Sequence, residues 1–96
     1  MSKKDEIIQR LKAEVEEWEA KLEPLKLKAK LGEMEARDKF EEIEKTVREK
    51  TDHLRGRLEE LKNDTGEAWE DLAKGCETSW GEAKAAMKAA LSRYRD

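Results

Sequence analysis

From Ile8 onward the apolar positions run Ile8, Leu11, Val15, Trp18, Leu22, Leu25 and Ala29, separated alternately by three and four residues. That alternation keeps one stripe facing a partner helix and places Ile8, Val15, Leu22 and Ala29 at heptad position a, with Leu11, Trp18 and Leu25 at d. Residues 1–31 therefore read as a coiled-coil segment. Flanking charges discriminate its orientation. A parallel homodimer would oppose Glu14 to Glu19 and Lys21 to Lys26, both repulsive. An antiparallel pairing opposes Asp5 to Lys26, Lys12 to Glu19 and Glu14 to Lys21, all attractive. Each exposed pair contributes only a few tenths of a kcal/mol, but agreement of sign selects the orientation. The segment is expected to pair antiparallel, with another copy or with a later part of its own chain. Pro24 is expected to kink the helix or to restart it, since an interior proline costs about 3 kcal/mol. Gly32 is a weaker stop signal, with no capping residue after it to mark a chain reversal.

Past Gly32 the period changes. Ala36, Val47, Leu58, Trp69, Trp80 and Leu91 recur every eleven residues, as do Ile43, Leu54, Thr65, Cys76 and Met87. Eleven residues over three turns is about 3.67 per turn, which favours straight or slightly right-handed packing. Phe40, Leu61, Leu72 and Tyr94 extend the same stripe. Its phase passes unbroken through Asn63-Asp64-Thr65-Gly66, which favours one long helix. Local chemistry argues for a hairpin turn at 63–66, because Asp64 and Glu67 match a capping box and Asn63 could end a helix. The chain thus divides into 1–31, 32–62 and a Trp/Ala-rich amphipathic stretch at 63–96.

Composition narrows the class. Of 96 residues, 45 are charged and the net charge is −3. Ala, Glu, Lys, Leu and Arg make up 60 of them, the signature of long helices and coiled coils. Leu, Ile, Val and Phe total 16, so a compact monomer is the less expected outcome and self-association the more expected one. The fold class is accordingly all-α: long amphipathic helices forming a coiled coil or helical hairpin that self-associates. Residues 1–48 carry 12 basic and 13 acidic side chains, so no basic arm suggests nucleic acid. No apolar run approaches the about 20 residues of a bilayer span, and a cytoplasmic location is expected.

Thr65-Gly66-Glu67-Ala68 recurs loosely as Trp80-Gly81-Glu82-Ala83. The run Gly66-Glu67-Ala68-Trp69-Glu70-Asp71-Leu72, followed by a second Trp and an Ala/Lys-rich end, resembles the C-terminal half of small uncharacterised bacterial coiled-coil proteins. The Lys/Glu/Ala-rich first half is similar to theirs as well. The resemblance implies a helical fold and a bacterial source, and it implies no catalytic residues.

Candidate chemistry is sparse. His53 has helical carboxylates nearby but no second nitrogen or sulfur ligand, so no metal site is expected. Cys76 falls on the apolar stripe, where it acts as a small hydrophobe. Arg48, Lys50, Arg55 and Arg57 interleave with Glu49, Asp52, Glu59 and Glu60 as a charged helix face. No nucleophile with its base and no phosphate loop can be assembled, so neither catalysis nor a cofactor is expected.

Two functions remain. One is a non-enzymatic scaffold that self-assembles, as a closed oligomer or a filament, through Ile8, Leu11, Val15, Trp18, Leu22, Leu25, Phe40, Ile43, Val47, Leu54, Leu58, Leu61, Trp69, Leu72, Trp80, Met87, Leu91 and Tyr94. The other is a peripheral membrane protein that meets anionic lipid with Trp80, Lys84, Met87, Lys88, Leu91, Arg93 and Tyr94, an aromatic-apolar face flanked by bases. An unrelated helical protein is a third conceivable partner.

Overall fold

The computed structural model describes residues 2–32 and 34–95, the side chains of 34–36, 94 and 95 excepted. Ala36 and Tyr94, both expected on the apolar stripe, therefore lie outside the described side chains. Three α-helices follow one another: α1 (Lys3–Leu31), α2 (Met34–Asn63) and α3 (Trp69–Arg95), and no strand occurs among the described residues. They pack into one bundle, 52 × 20 × 15 Å.

Helix α1 begins where Ser2 caps it, its hydroxyl oxygen accepting the Asp5 amide at 3.2 Å. Asp5 and Glu6 in the first turn and Lys28 and Lys30 in the last complement the helix dipole. The helix runs through Pro24 without a restart. Pro24 and Ala20, the residue whose carbonyl it leaves without an amide partner, are both exposed, so solvent reaches the gap. Gly32 then closes the helix in extended backbone, its amide reaching the Ala29 carbonyl at 3.4 Å. The chain reverses there, where the sequence marks a turn only faintly.

The unbroken phase through 63–66 does not produce one helix. Helix α2 stops at Asn63 and α3 starts at Trp69. In the loop between them the Asp64 carboxylate accepts the Gly66 amide at 2.7 Å, an Asx-type turn instead of the expected cap on Glu67. Thr65, an expected stripe position, is exposed in this loop. The start of α1 is tied to the end of α2, Lys4 Nζ donating to the Asp64 carbonyl at 2.6 Å. Hence α1 and α2 are antiparallel, α2 and α3 are antiparallel, and α1 runs parallel to α3.

The core is a single seam along the bundle axis. Leu11, Val15, Val47, Leu58, Leu61 and Met87 are almost wholly shielded. The shortage of large aliphatics, which argued against a compact monomer, is made good by Trp18 and Trp80 and by Ala29, Ala73, Cys76 and Ala83 at core positions. A narrow bundle has little interior volume to fill. Thr51 also sits in the seam, between Val47 and Leu54, and its hydroxyl donates to the Arg48 carbonyl at 3.2 Å. Among the described residues no buried side-chain polar atom lacks a partner.

Candidate functional site

The heptad phase of α1 turns Leu11, Val15 and Trp18 inward and leaves Arg10 and Glu14 on the edge that faces α3. The phase of α3 does the same for Glu77 and Lys84, with Trp80 between them pointing into the core. Running the two helices parallel brings these edges into register. Lys84 Nζ lies 2.8 Å from Glu14 Oε1, and the Trp80 indole N–H donates to the same oxygen at 3.4 Å. One helical turn toward the N-terminus of α1, Arg10 pairs with Glu77. The Lys84 hydrogen bond holds the Glu14 carboxyl below its ordinary value of 4.5; partial burial pushes the other way, and the Lys84 charge, the Trp80 hydrogen bond and Arg10 add to the lowering.

Of the three helix pairs, α1 and α3 approach least closely. Their shared face is closed at its edge by charge and indole contacts instead of by further aliphatic packing. On the opposite side of α1, Glu19 pairs with Arg55 of α2, and Lys21 covers the Trp18 ring at 4.2 Å. Three of the charges expected to match α1 with an antiparallel copy are therefore engaged within the chain: Glu14 by α3, Glu19 by α2 and Lys21 by Trp18.

The expected association residues converge on this one interior. Ile8, Leu11, Val15, Trp18, Leu22, Phe40, Ile43, Val47, Leu54, Leu58, Leu61, Trp80 and Met87 are buried, while Leu25, Trp69, Leu72 and Leu91 pack partly buried against them. Leu27 and Leu31, at 62% and 84% exposure, are large hydrophobics that the core does not cover. The residues expected to face lipid do not share a free surface. Trp80 and Met87 are 2% and 0% exposed, Lys84 is held by Glu14, and Lys88 and Arg93 are exposed. That apolar face would meet a membrane only if the bundle opened.

Shallow grooves run between α2 and α3 among the described residues. One, of about 310 Å³, is bordered by Glu49, His53, Ser79 and Glu82 over a floor of Leu54 and Trp80. Another, of about 230 Å³, lies between Lys39, Thr46 and Arg93 over Ile43 and Ala90. No group of three or more His, Cys, Asp or Glu among the described residues is placed to hold a metal ion. Cys76 is buried, and burial raises its thiol pKa above the ordinary value despite the opposing charge of Arg57. No described helix is long and apolar enough to cross a membrane.

The Glu14–Lys84–Trp80 cluster escapes a reading of the sequence. Its members are 66 and 70 residues apart, and only the parallel placement of α1 and α3 unites them. No family model, curated protein or solved structure matches this chain. Its function has to be read from its residues and their geometry.

Proposed function

We propose that this chain is a non-catalytic structural protein that assembles with itself through its helices, into closed or filamentous oligomers, in the bacterial cytoplasm. The observation that supports it is the α1–α3 face: the least intimate of the three, edged by the Glu14–Lys84 and Arg10–Glu77 pairs. Such a face parts at lower cost than an aliphatic one, because water and salt compensate separated charges. The helices it releases, α1 and α3, each carry an apolar stripe that seeks an equivalent helix. The charge-laced exterior of α1 and α2 suits an aqueous compartment, and the bacterial setting follows from the resemblance described above.

Sedimentation velocity over a wide concentration range tests the proposal. A monomer-to-oligomer shift with rising concentration is expected, without the change in helicity that coupled folding would bring, because the helices already form within one chain. A monomer at every concentration that instead binds anionic vesicles and opens on them would replace self-assembly by lipid binding.

A further inference from the structure

Helix formation sets the phase of each helix separately, and a hairpin places no demand that the phase of α3 continue that of α2. Yet it does continue. From Leu54 the stripe positions in the sequence step through Leu58, Leu61, Thr65, Trp69, Leu72, Cys76 and Trp80 at intervals of three or four residues, with no slip at the loop. If 64–68 became helical, α2 and α3 would form one rod over 34–95 carrying a single uninterrupted apolar stripe.

The loop offers little resistance to that change. Among the described residues none, glycine included, has a positive φ. The helical ladder already extends to the Asp64 amide, which donates to the Glu60 carbonyl at 3.1 Å, and resumes where the Leu72 amide donates to Ala68 at 3.1 Å. Straightening would pair the last carbonyls of α2 with the amides of 65–67, and the first amides of α3 with the carbonyls of 65–67, groups otherwise left without helical partners at helix ends. Against it stand the Asp64–Gly66 turn, the Lys4 contact and the helix cost of Gly66. A straightened chain carries its α3 away from its own α1, so the stripe of α3 needs a new α1–α2 pair. A second copy supplies one, and receives the same in return.

We propose that this protein dimerises by exchanging α3: residues 64–68 extend into helix, and α3 of each copy packs on the α1–α2 hairpin of the other. This rests on the self-assembly reading and gives it a partner and a geometry. The exchanged dimer is two-fold symmetric and rebuilds every core contact of the monomer, with Glu14–Lys84 and Arg10–Glu77 now running between copies. Thr65 is its new element, at the point where the two rods pass.

Complementary charge reversal tests the exchange. A Glu14→Lys chain opposes two lysines in its own bundle, and a Lys84→Glu chain opposes two carboxylates. In an exchanged heterodimer of the two, every α1 meets an α3 of opposite charge. Native mass spectrometry of the equimolar mixture should show heterodimer in about tenfold or greater excess over either homodimer, with a melting temperature above that of each chain alone. Homodimers and heterodimers in statistical proportion would overturn the exchange while leaving self-assembly standing. Monomers alone at high concentration, for the wild-type chain as well, would overturn both. A second variant reports even if these chains fold poorly. Thr65→Leu with Gly66→Ala favours the rod in both copies and should tighten dimerisation about tenfold or more, whereas unchanged dimerisation would count against an extended 64–68.

Discussion

The α1–α2 hairpin and helix α3 are built on different principles. On α1 and α2 the solvent face is densely charged, as at Arg48, Glu49, Lys50 and Asp52, and ion pairs such as Arg48–Glu44 and Arg55–Asp52 run along α2. The outer face of α3 is more sparsely charged: among Lys74, Glu82, Lys88 and Arg93 it carries Thr78, Ala85, Ala89 and Ser92, with Gly75 and Gly81 within it. A Cβ at Gly75 or Gly81 would meet nothing within 4 Å, so neither glycine is there to let a helix of this chain come close. Each costs its helix about 1 kcal/mol relative to alanine and receives no packing in return. Helix α3 is therefore held by what it buries, above all Trp80 and Met87, and less by its own tendency to be a helix. It is the element that the proposed exchange moves, and the two joined helices it would leave behind are the template that exchange requires.

The largest test of that contrast is Trp80→Ala. Removing the indole should cost about 3–5 kcal/mol, a large share of the stability of a domain this size, and urea denaturation would read it. Trp69, only partly buried at the start of α3, should cost clearly less when truncated. Equal losses at both positions would remove Trp80 as the anchor.

A middle-sized effect separates the two regions directly. Gly75→Ala and Gly81→Ala should each stabilise by about 1 kcal/mol, raising the melting temperature by several degrees apiece. Cys76, buried between α3 and α2, reacts with a thiol reagent only when that contact opens. The α3 substitutions should slow its labelling. Gly56→Ala, at an equally open site on α2, should raise the melting temperature without slowing the labelling to the same degree. Equal slowing by all three would mean that the bundle opens only as a whole.

The smallest effect lies in pH. Because the folded-state pKa of Glu14 is lowered, its contribution is fully present above the ordinary value of 4.5 and fades as pH falls through the lowered one. Wild-type and Glu14→Gln proteins should differ in urea stability near neutral pH and converge in acid. A gap that persists at low pH would mean that Glu14 acts by packing and not by charge. Arg10 and Glu77 are more exposed, 57% and 42%, and truncating either should change stability by less than about 1 kcal/mol.

Much of the fold is legible along the chain. The three-and-four spacing from Ile8 to Ala29 and the eleven-residue series beyond it identify nearly every core position, because a helix turns side-chain spacing into a face without help from the rest of the molecule. Trp18, Leu58 and Met87 are buried for that reason. Thr51 and Ala73 escape the pattern because a polar or small residue at a core spacing carries no hydrophobic signal. Helix starts and stops were half legible: Asn63 and Asp64 mark a turn that the continuous phase conceals.

By itself, then, the sequence determined that the chain is helical and which face of each helix turns inward. Only the tertiary structure decided where the chain folds back, that α1 lies parallel to α3, and that Glu14 meets Lys84 and Trp80. The physical reason is one of range. Periodicity is a property of neighbours one turn apart, whereas a reversal at Gly32 or at 64–68 is decided by weighing a short loop, cheap in chain entropy, against the burial of a whole apolar seam. That balance depends on every helix at once, and no local stretch of residues records it.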